Sequence, residues 1–114
     1  MWTVKGRKVY LGLGVTDGRK AINGLGLLVE SQLKQELLSG DLFAFCTRSR
    51  SLVKILYWDK NGFCLWQKRL EKEKFKWPET DAEVKEIKSE ELAWLLAGLD
   101  IEQAHKELSY SVMC

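Results

Sequence analysis

The segment Lys54–Trp77, KILYWDKNGFCLWQKRLEKEKFKW, constrains the fold most, because two apolar, cation-bearing runs flank Asn61-Gly62. Asn and Gly tolerate the positive φ of a two-residue turn, so this pattern predicts a β-hairpin. With Asn61 and Gly62 as the central pair, Trp58 opposes Leu65, Tyr57 opposes Trp66, Leu56 opposes Gln67, Ile55 opposes Lys68 and Lys54 opposes Arg69. Like charges directly across a strand pair are destabilising, by roughly a few tenths of a kcal/mol. An anion held between Lys54 and Arg69 reverses that sign. The alternative is that both side chains extend to water or pair with Glu71, Glu73 or Asp41.

The rest of the chain supplies partners for the hairpin. A strand is expected over Lys8–Leu13, followed by a helix that Thr16 or Asp17 caps. Ile22, Leu25, Val29, Leu33 and Leu37 recur at spacings of three and four, which predicts a long helix stopped by Ser39-Gly40. Strands follow over Leu42–Cys46, Leu52–Trp58 and Phe63–Leu70, with Thr47–Ser51 a basic loop. Phe75–Trp77 reads as a further edge strand, Pro78–Asp81 as a linker and Glu83–Ile87 as another short strand. After Ser89, the stripe Leu92, Leu95, Leu96 and Leu99 marks a helix, and Ile101–Leu108 a last one. The resulting expectation is an α+β fold: a mainly antiparallel sheet, as a β-hairpin or meander, packed by the long N-terminal helix on one face, with the C-terminal Ser89 helix over an edge or end.

A chain of 114 residues makes one domain, large enough for a core without disulfides or metal. Hydrophobic content of 46% with 30% charged residues excludes wholesale disorder. No apolar run approaches the roughly 20 residues of a membrane span, and the first residues lack a signal-peptide hydrophobic region, so the expected home is the cytosol. Cys46, Cys64 and Cys114 are too few and too far apart for a disulfide framework or a paired-thiol zinc site. The net charge of +2 conceals a division. Residues 1–76 hold 15 Lys and Arg against 7 Asp and Glu; residues 77–114 hold 3 against 9. A basic body over about residues 8–77 suits a polyanion, and an acidic helical segment over about 78–108 suits a basic partner or solubility; residues 109–114 are expected to fray.

DNA is therefore the first partner to consider. Arg48, Arg50, Lys54, Lys68 and Arg69 fall within one sheet region, with Arg19 and Lys20 at the start of the long helix, and together these are candidates to bind phosphates. The competing reading is an ordinary solvated cationic surface. Trp58, Trp66 and Trp94 lie in strongly patterned elements and read as core, whereas Trp2 and Trp77 are candidates for base stacking or an interface. Catalysis has little to stand on. His105 has no nucleophile signature near it, and Asp17, Asp41, Asp59 and Asp100 show no spacing that gathers them around magnesium. The glycines at 12, 14 and 18 make neither a dinucleotide fingerprint nor a P-loop, so no cofactor and no small-molecule substrate are expected.

VKILYWDKNGFCLWQKRLE, Val53–Glu71, resembles the W-D-x-N-G-x-C-L-W-x-K-R-L-E signature of the TnpB accessory proteins of IS66-type insertion sequences. VYLGLGVTDGRKAINGLGLLV resembles the first block of that family, LLSGDLFAFCTRSR its second and SEELAWLLAGLD its closing helix. The first block usually reads T-D-M-R-K with a downstream F-D-G. Here Gly18 follows Asp17, and Ile22-Asn23 precedes Gly24, although Thr16, Asp17, Arg19 and Lys20 match. The resemblance implies a small bacterial, non-enzymatic protein that accompanies a separate transposase in moving a DNA element. Two roles are compatible with it. One is a DNA-binding module that holds element ends while its acidic segment contacts the transposase or another accessory protein; the other is an adaptor without DNA affinity.

Overall fold

The computed structural model describes the backbone of residues 6–113 and the side chains of residues 6–108; Trp2 lies outside them. The elements run β1 (Val9–Thr16), α1 (Ile22–Ser31), β2 (Leu42–Thr47), β3 (Leu52–Asp59), β4 (Gly62–Arg69), β5 (Val84–Ile87), α2 (Ser89–Leu96) and α3 (Ile101–Met113). The strands form one sheet in the order β4-β3-β2-β1-β5. β1 and β2 are parallel, because α1 carries the chain back along the sheet before β2 begins. The other three pairings are antiparallel. The expected antiparallel meander under a long N-terminal helix is thus corrected to a five-stranded mixed sheet with three short helices.

α1 has ten residues because nothing at either end supports more. Ala21 caps it without a side-chain hydrogen bond, and Gly24 and Gly26 lower its propensity. Beyond Ser31 the chain leaves helical geometry, with Lys34 at φ 56°. Leu33 is nonetheless buried, and Leu37 packs on the same cluster. The apolar spacing therefore reports one continuous contact with the sheet, made by helix first and by irregular chain afterwards.

The sheet is buried on both faces. Tyr10, Phe43, Phe45 and Leu56 lie under Leu25, Val29 and Leu33. On the other face, Val9, Leu11, Ala44, Val53 and Ile55 pack with Leu92, Leu95 and Leu96 of α2 and with Ile101. Phe75–Trp77, expected as an edge strand, is instead a strap across this second face that joins no strand, its Phe75 N–H donating to the Arg50 carbonyl at 2.7 Å. Its Trp77 is 5% exposed, and the indole Nε1–H donates to the Gly12 carbonyl at 2.9 Å. A buried indole needs such an acceptor. β5 meets the expectation of a short strand at Glu83–Ile87, and α3 runs on to Met113 beyond the expected end at Leu108.

The β3–β4 hairpin forms with a corrected register. Asp59 pairs with Gly62, so Lys60 and Asn61 are the turn residues, and Lys60 takes the left-handed conformation at φ 52°. Trp58 consequently opposes Phe63, Tyr57 opposes Cys64, Leu56 opposes Leu65, Ile55 opposes Trp66 and Lys54 opposes Gln67. Each partner moves by two residues, which keeps every side chain on its expected face. The expected facing of Lys54 and Arg69 is lost; Arg69 opposes Leu52.

Candidate nucleic-acid interface

Three of the seven candidate cations are tied to other parts of the protein. Lys54 is 9% exposed, and its Nζ donates to the carbonyls of Gly18 and Lys20, both at 2.7 Å. It fastens the β1–α1 loop to the underside of β3. Lys68 projects from the opposite face of the sheet, since it pairs with Val53, and its Nζ donates to the Leu96 carbonyl at 2.9 Å. A cation there compensates the negative end of α2. Arg50 occupies a left-handed position at φ 60° in the β2–β3 loop, and its largely buried guanidinium lies 3.8 Å from Glu79. Burial pushes the neighbouring Cys46 thiol above its ordinary pKa, against the opposing pull of Arg50. An ion between Lys54 and Arg69 has no place in this arrangement.

The remaining cations stand at one end of the sheet. β1 and β2, being parallel, both deliver their C-terminal ends there, so the β1–α1 loop and the β2–β3 loop face each other across an open groove of about 870 Å³. Arg19, Arg48 and Arg69 line it. The Arg19 side chain is 92% exposed and grips Asp17 through Nε and Nη2, at 2.8 Å for the shortest contact. Asp17 also accepts the Arg19 backbone N–H, and these bonds lower its pKa to about 2. The carboxylate expected to cap a helix instead closes the turn that presents Arg19. Arg69 pairs loosely with the exposed Glu71 at 3.3 Å. Arg48 is exposed and makes no side-chain hydrogen bond or ion pair among the described residues. Lys20 leans back along α1, so that a Cβ on Gly24 would lie 3.3 Å from its Cγ.

Sequence reasoning missed the hydroxyls of this groove. Thr47 and Ser49 are 3.3 Å apart, Ser49 and Ser51 2.7 Å, which makes a chain of three Oγ atoms along the same loop. The signal was present in Cys46–Ser51, CTRSRS, where hydroxyl residues alternate with arginines. Guanidinium groups bind phosphate oxygens in pairs, and hydroxyls both donate and accept, so the loop has the equipment for an anionic backbone. Trp77 belongs to the core and is not available for base stacking. Elsewhere, His105 stacks edge-on against Trp94 at 4.9 Å and reaches Glu91 at 3.1 Å, a junction between α2 and α3. Among the described residues no group of three or more His, Cys, Asp or Glu is placed to hold a metal ion, and no helix is long and apolar enough to cross a membrane.

Comparison with known proteins gives this geometry a context. The family described as IS66 Orf2 like protein matches residues 7–106. Uncharacterized protein y4hO of Sinorhizobium fredii (strain NBRC 101917 / NGR234) is 39% identical over 93 residues, 82% of this chain and 81% of its own length. Uncharacterized protein y4jC of the same organism is 33% identical over 96 residues, 84% and 82% of the two chains. No solved structure matches. The chain therefore belongs to the IS66 Orf2 like family, a family of accessory proteins in the transposition of IS66 elements.

Proposed function

We propose that this protein serves transposition as a non-enzymatic DNA-contacting module, which grips backbone phosphates at the element ends while a separate transposase performs the chemistry. The observation that supports this most is the groove at the C-terminal ends of β1 and β2, where Arg19, Arg48 and Arg69 stand beside the hydroxyl chain of Thr47, Ser49 and Ser51. Phosphate contacts of this kind position a protein on DNA without reading sequence. The acidic segment after Trp77 lies outside the groove in sequence and has the charge to meet a basic surface of the transposase or of another accessory protein.

Fluorescence anisotropy with a labelled element-end duplex and a scrambled duplex, across a salt series, tests the reading. Each phosphate neutralised adds about 0.9 to the slope of log affinity against log salt. The triple substitution Arg19→Gln, Arg48→Gln, Arg69→Gln is expected to weaken binding at least about tenfold and to lower that slope by about 2 to 3. Lys68→Met, which alters a cation tied to α2, is expected to leave the slope as it was. Native affinity unchanged by the triple substitution would move the site elsewhere. No binding by the native protein at low salt would replace this reading with that of a transposase adaptor.

A further inference from the structure

Arg19, Arg48 and Arg69 line one groove, but they are not equivalent. Arg48 makes no ion pair among the described residues, and Arg69 reaches a single oxygen of Glu71 at 3.3 Å. Arg19 is gripped side-on: Nε donates to both oxygens of Asp17, at 3.1 and 3.3 Å, and Nη2 donates to Oδ2 at 2.8 Å. A guanidinium carries five N–H groups in a fixed fork. The Asp17 bonds occupy its Nε side, and the edge formed by Nη1 and Nη2 stays open on a side chain that is 92% exposed.

The carboxylate that does the gripping is itself fixed. Asp17 Oδ1 accepts the Arg19 backbone N–H at 2.9 Å, and the Asp17 carbonyl accepts the Lys20 N–H at 3.1 Å, which closes a turn over residues 17–20. Lys54 holds that turn from beneath through the Gly18 and Lys20 carbonyls, and Gly18 sits so near Thr47 that a Cβ there would be 3.2 Å from Cγ2. The guanidinium of Arg19 is therefore oriented before any ligand arrives, which removes part of the entropy cost of ordering a long side chain on binding.

The pairing also decides what the open edge suits. With an ionised Asp17 beside it, Arg19 adds almost no net charge to the groove. A phosphate on the open edge would bring a second anion close to the Asp17 carboxylate, and the two repel. A pair of uncharged acceptors brings no such penalty. On a DNA duplex, the pair that fits an arginine fork is O6 and N7 of guanine, presented in the major groove.

We infer that Arg19, held by Asp17, reads the major-groove edge of a guanine, while Arg48 and the hydroxyls of Thr47, Ser49 and Ser51 hold the neighbouring phosphates. This role rests on the DNA-binding reading of the groove, to which it adds one position of sequence preference.

Competition anisotropy at about 0.15 M salt tests it with three duplexes of equal length: alternating G·C, the same duplex with 7-deazaguanine in place of guanine, and alternating A·T. 7-Deazaguanine keeps its base pairing and loses the N7 acceptor. The native chain is expected to bind the G·C duplex at least about fivefold more tightly than either of the others. Arg19→Ala, at an exposed position that the fold tolerates, is expected to bind the G·C and 7-deazaguanine duplexes alike. Asp17→Asn keeps an acceptor for the Arg19 backbone N–H and releases the guanidinium, so the preference is expected to fall while the salt slope steepens by about 0.9, as for one more free cation. Arg48→Gln is expected to weaken binding to all three duplexes by a common factor. Duplex binding with no preference for guanine over 7-deazaguanine overturns the role of Arg19 and leaves the phosphate groove standing. So does a preference that survives Arg19→Ala. An Asp17→Asn variant with the native preference and slope overturns the role of Asp17, and no binding of any duplex at low salt overturns the groove reading and this one together.

Discussion

A lysine with two carbonyls at hydrogen-bonding distance is a fastener, and Lys54 has that position beneath the loop that presents Arg19. Replacing it by methionine keeps the length of the side chain and removes the donor, which leaves the Gly18 and Lys20 carbonyls to find water. An orphaned polar group costs about 1 to 3 kcal/mol, so Lys54→Met is expected to lower stability by about that amount in urea titration. Gly12 is constrained from the opposite side: a Cβ there would fall 2.9 Å from Cδ1 of Phe45, and its carbonyl already serves Trp77. Gly12→Ala is expected to destabilise by about 1 to 3 kcal/mol through overpacking, read in the same titration. At this scale the sequence showed which residues are cations and which are aromatic, but not which way they point. The Lys54 face follows from strand alternation; that two carbonyls await it depends on how the β1–α1 loop folds back over β3, and no local pattern encodes that.

Among the elements, legibility followed how local the determinants are. β2, β3 and β4 are readable because each is a largely apolar, β-branched or aromatic run bounded by polar loops. α1 is shorter than its apolar spacing implies because Leu33 and Leu37 continue that spacing after the helix has ended, and packing satisfies it without the hydrogen bonds. The parallel pairing of β1 with β2 is not encoded locally, because strand direction depends on where the crossover returns. The hairpin turn falls one residue before the Asn-Gly signal because Lys60 adopts a conformation that favours glycine. The junction of α2 and α3 yields a pH prediction. Burial alone would raise the Glu91 pKa, yet the bond from the Lys88 N–H and the contact with His105 hold it below the ordinary value. A group whose folded pKa is depressed stabilises the fold above its unfolded pKa and loses that contribution as pH falls through the folded one. Thermal melts from pH 6 down to pH 3 are therefore expected to show a steeper fall of Tm below about pH 4.5 in the native protein than in Glu91→Gln.

For the molecule as a whole, the arrangement of charge matters more than its total. The net charge of +2 is too small to draw the protein to DNA by itself, whereas three arginines in one groove, against the one carboxylate of Asp17 that lines it, make a local positive potential that the sum conceals. At physiological salt the Debye length is about 8 Å, so charges on distant elements are screened from a phosphate in that groove. Two triple variants separate the two views, since each changes the net charge by three. Arg19→Gln, Arg48→Gln, Arg69→Gln removes groove charge, and Glu90→Gln, Glu102→Gln, Glu107→Gln removes acids from α2 and α3. If only net charge counted, the first would weaken DNA binding by as much as the second strengthened it. With the groove as the site, the arginine variant is expected to lose at least about tenfold at 0.15 M salt, and the glutamate variant to gain less than about threefold. Lowering the salt to about 0.01 M extends the Debye length to about 30 Å, and the glutamate variant should then gain appreciably more. Equal and opposite effects at physiological salt would show that the groove is not where DNA is held.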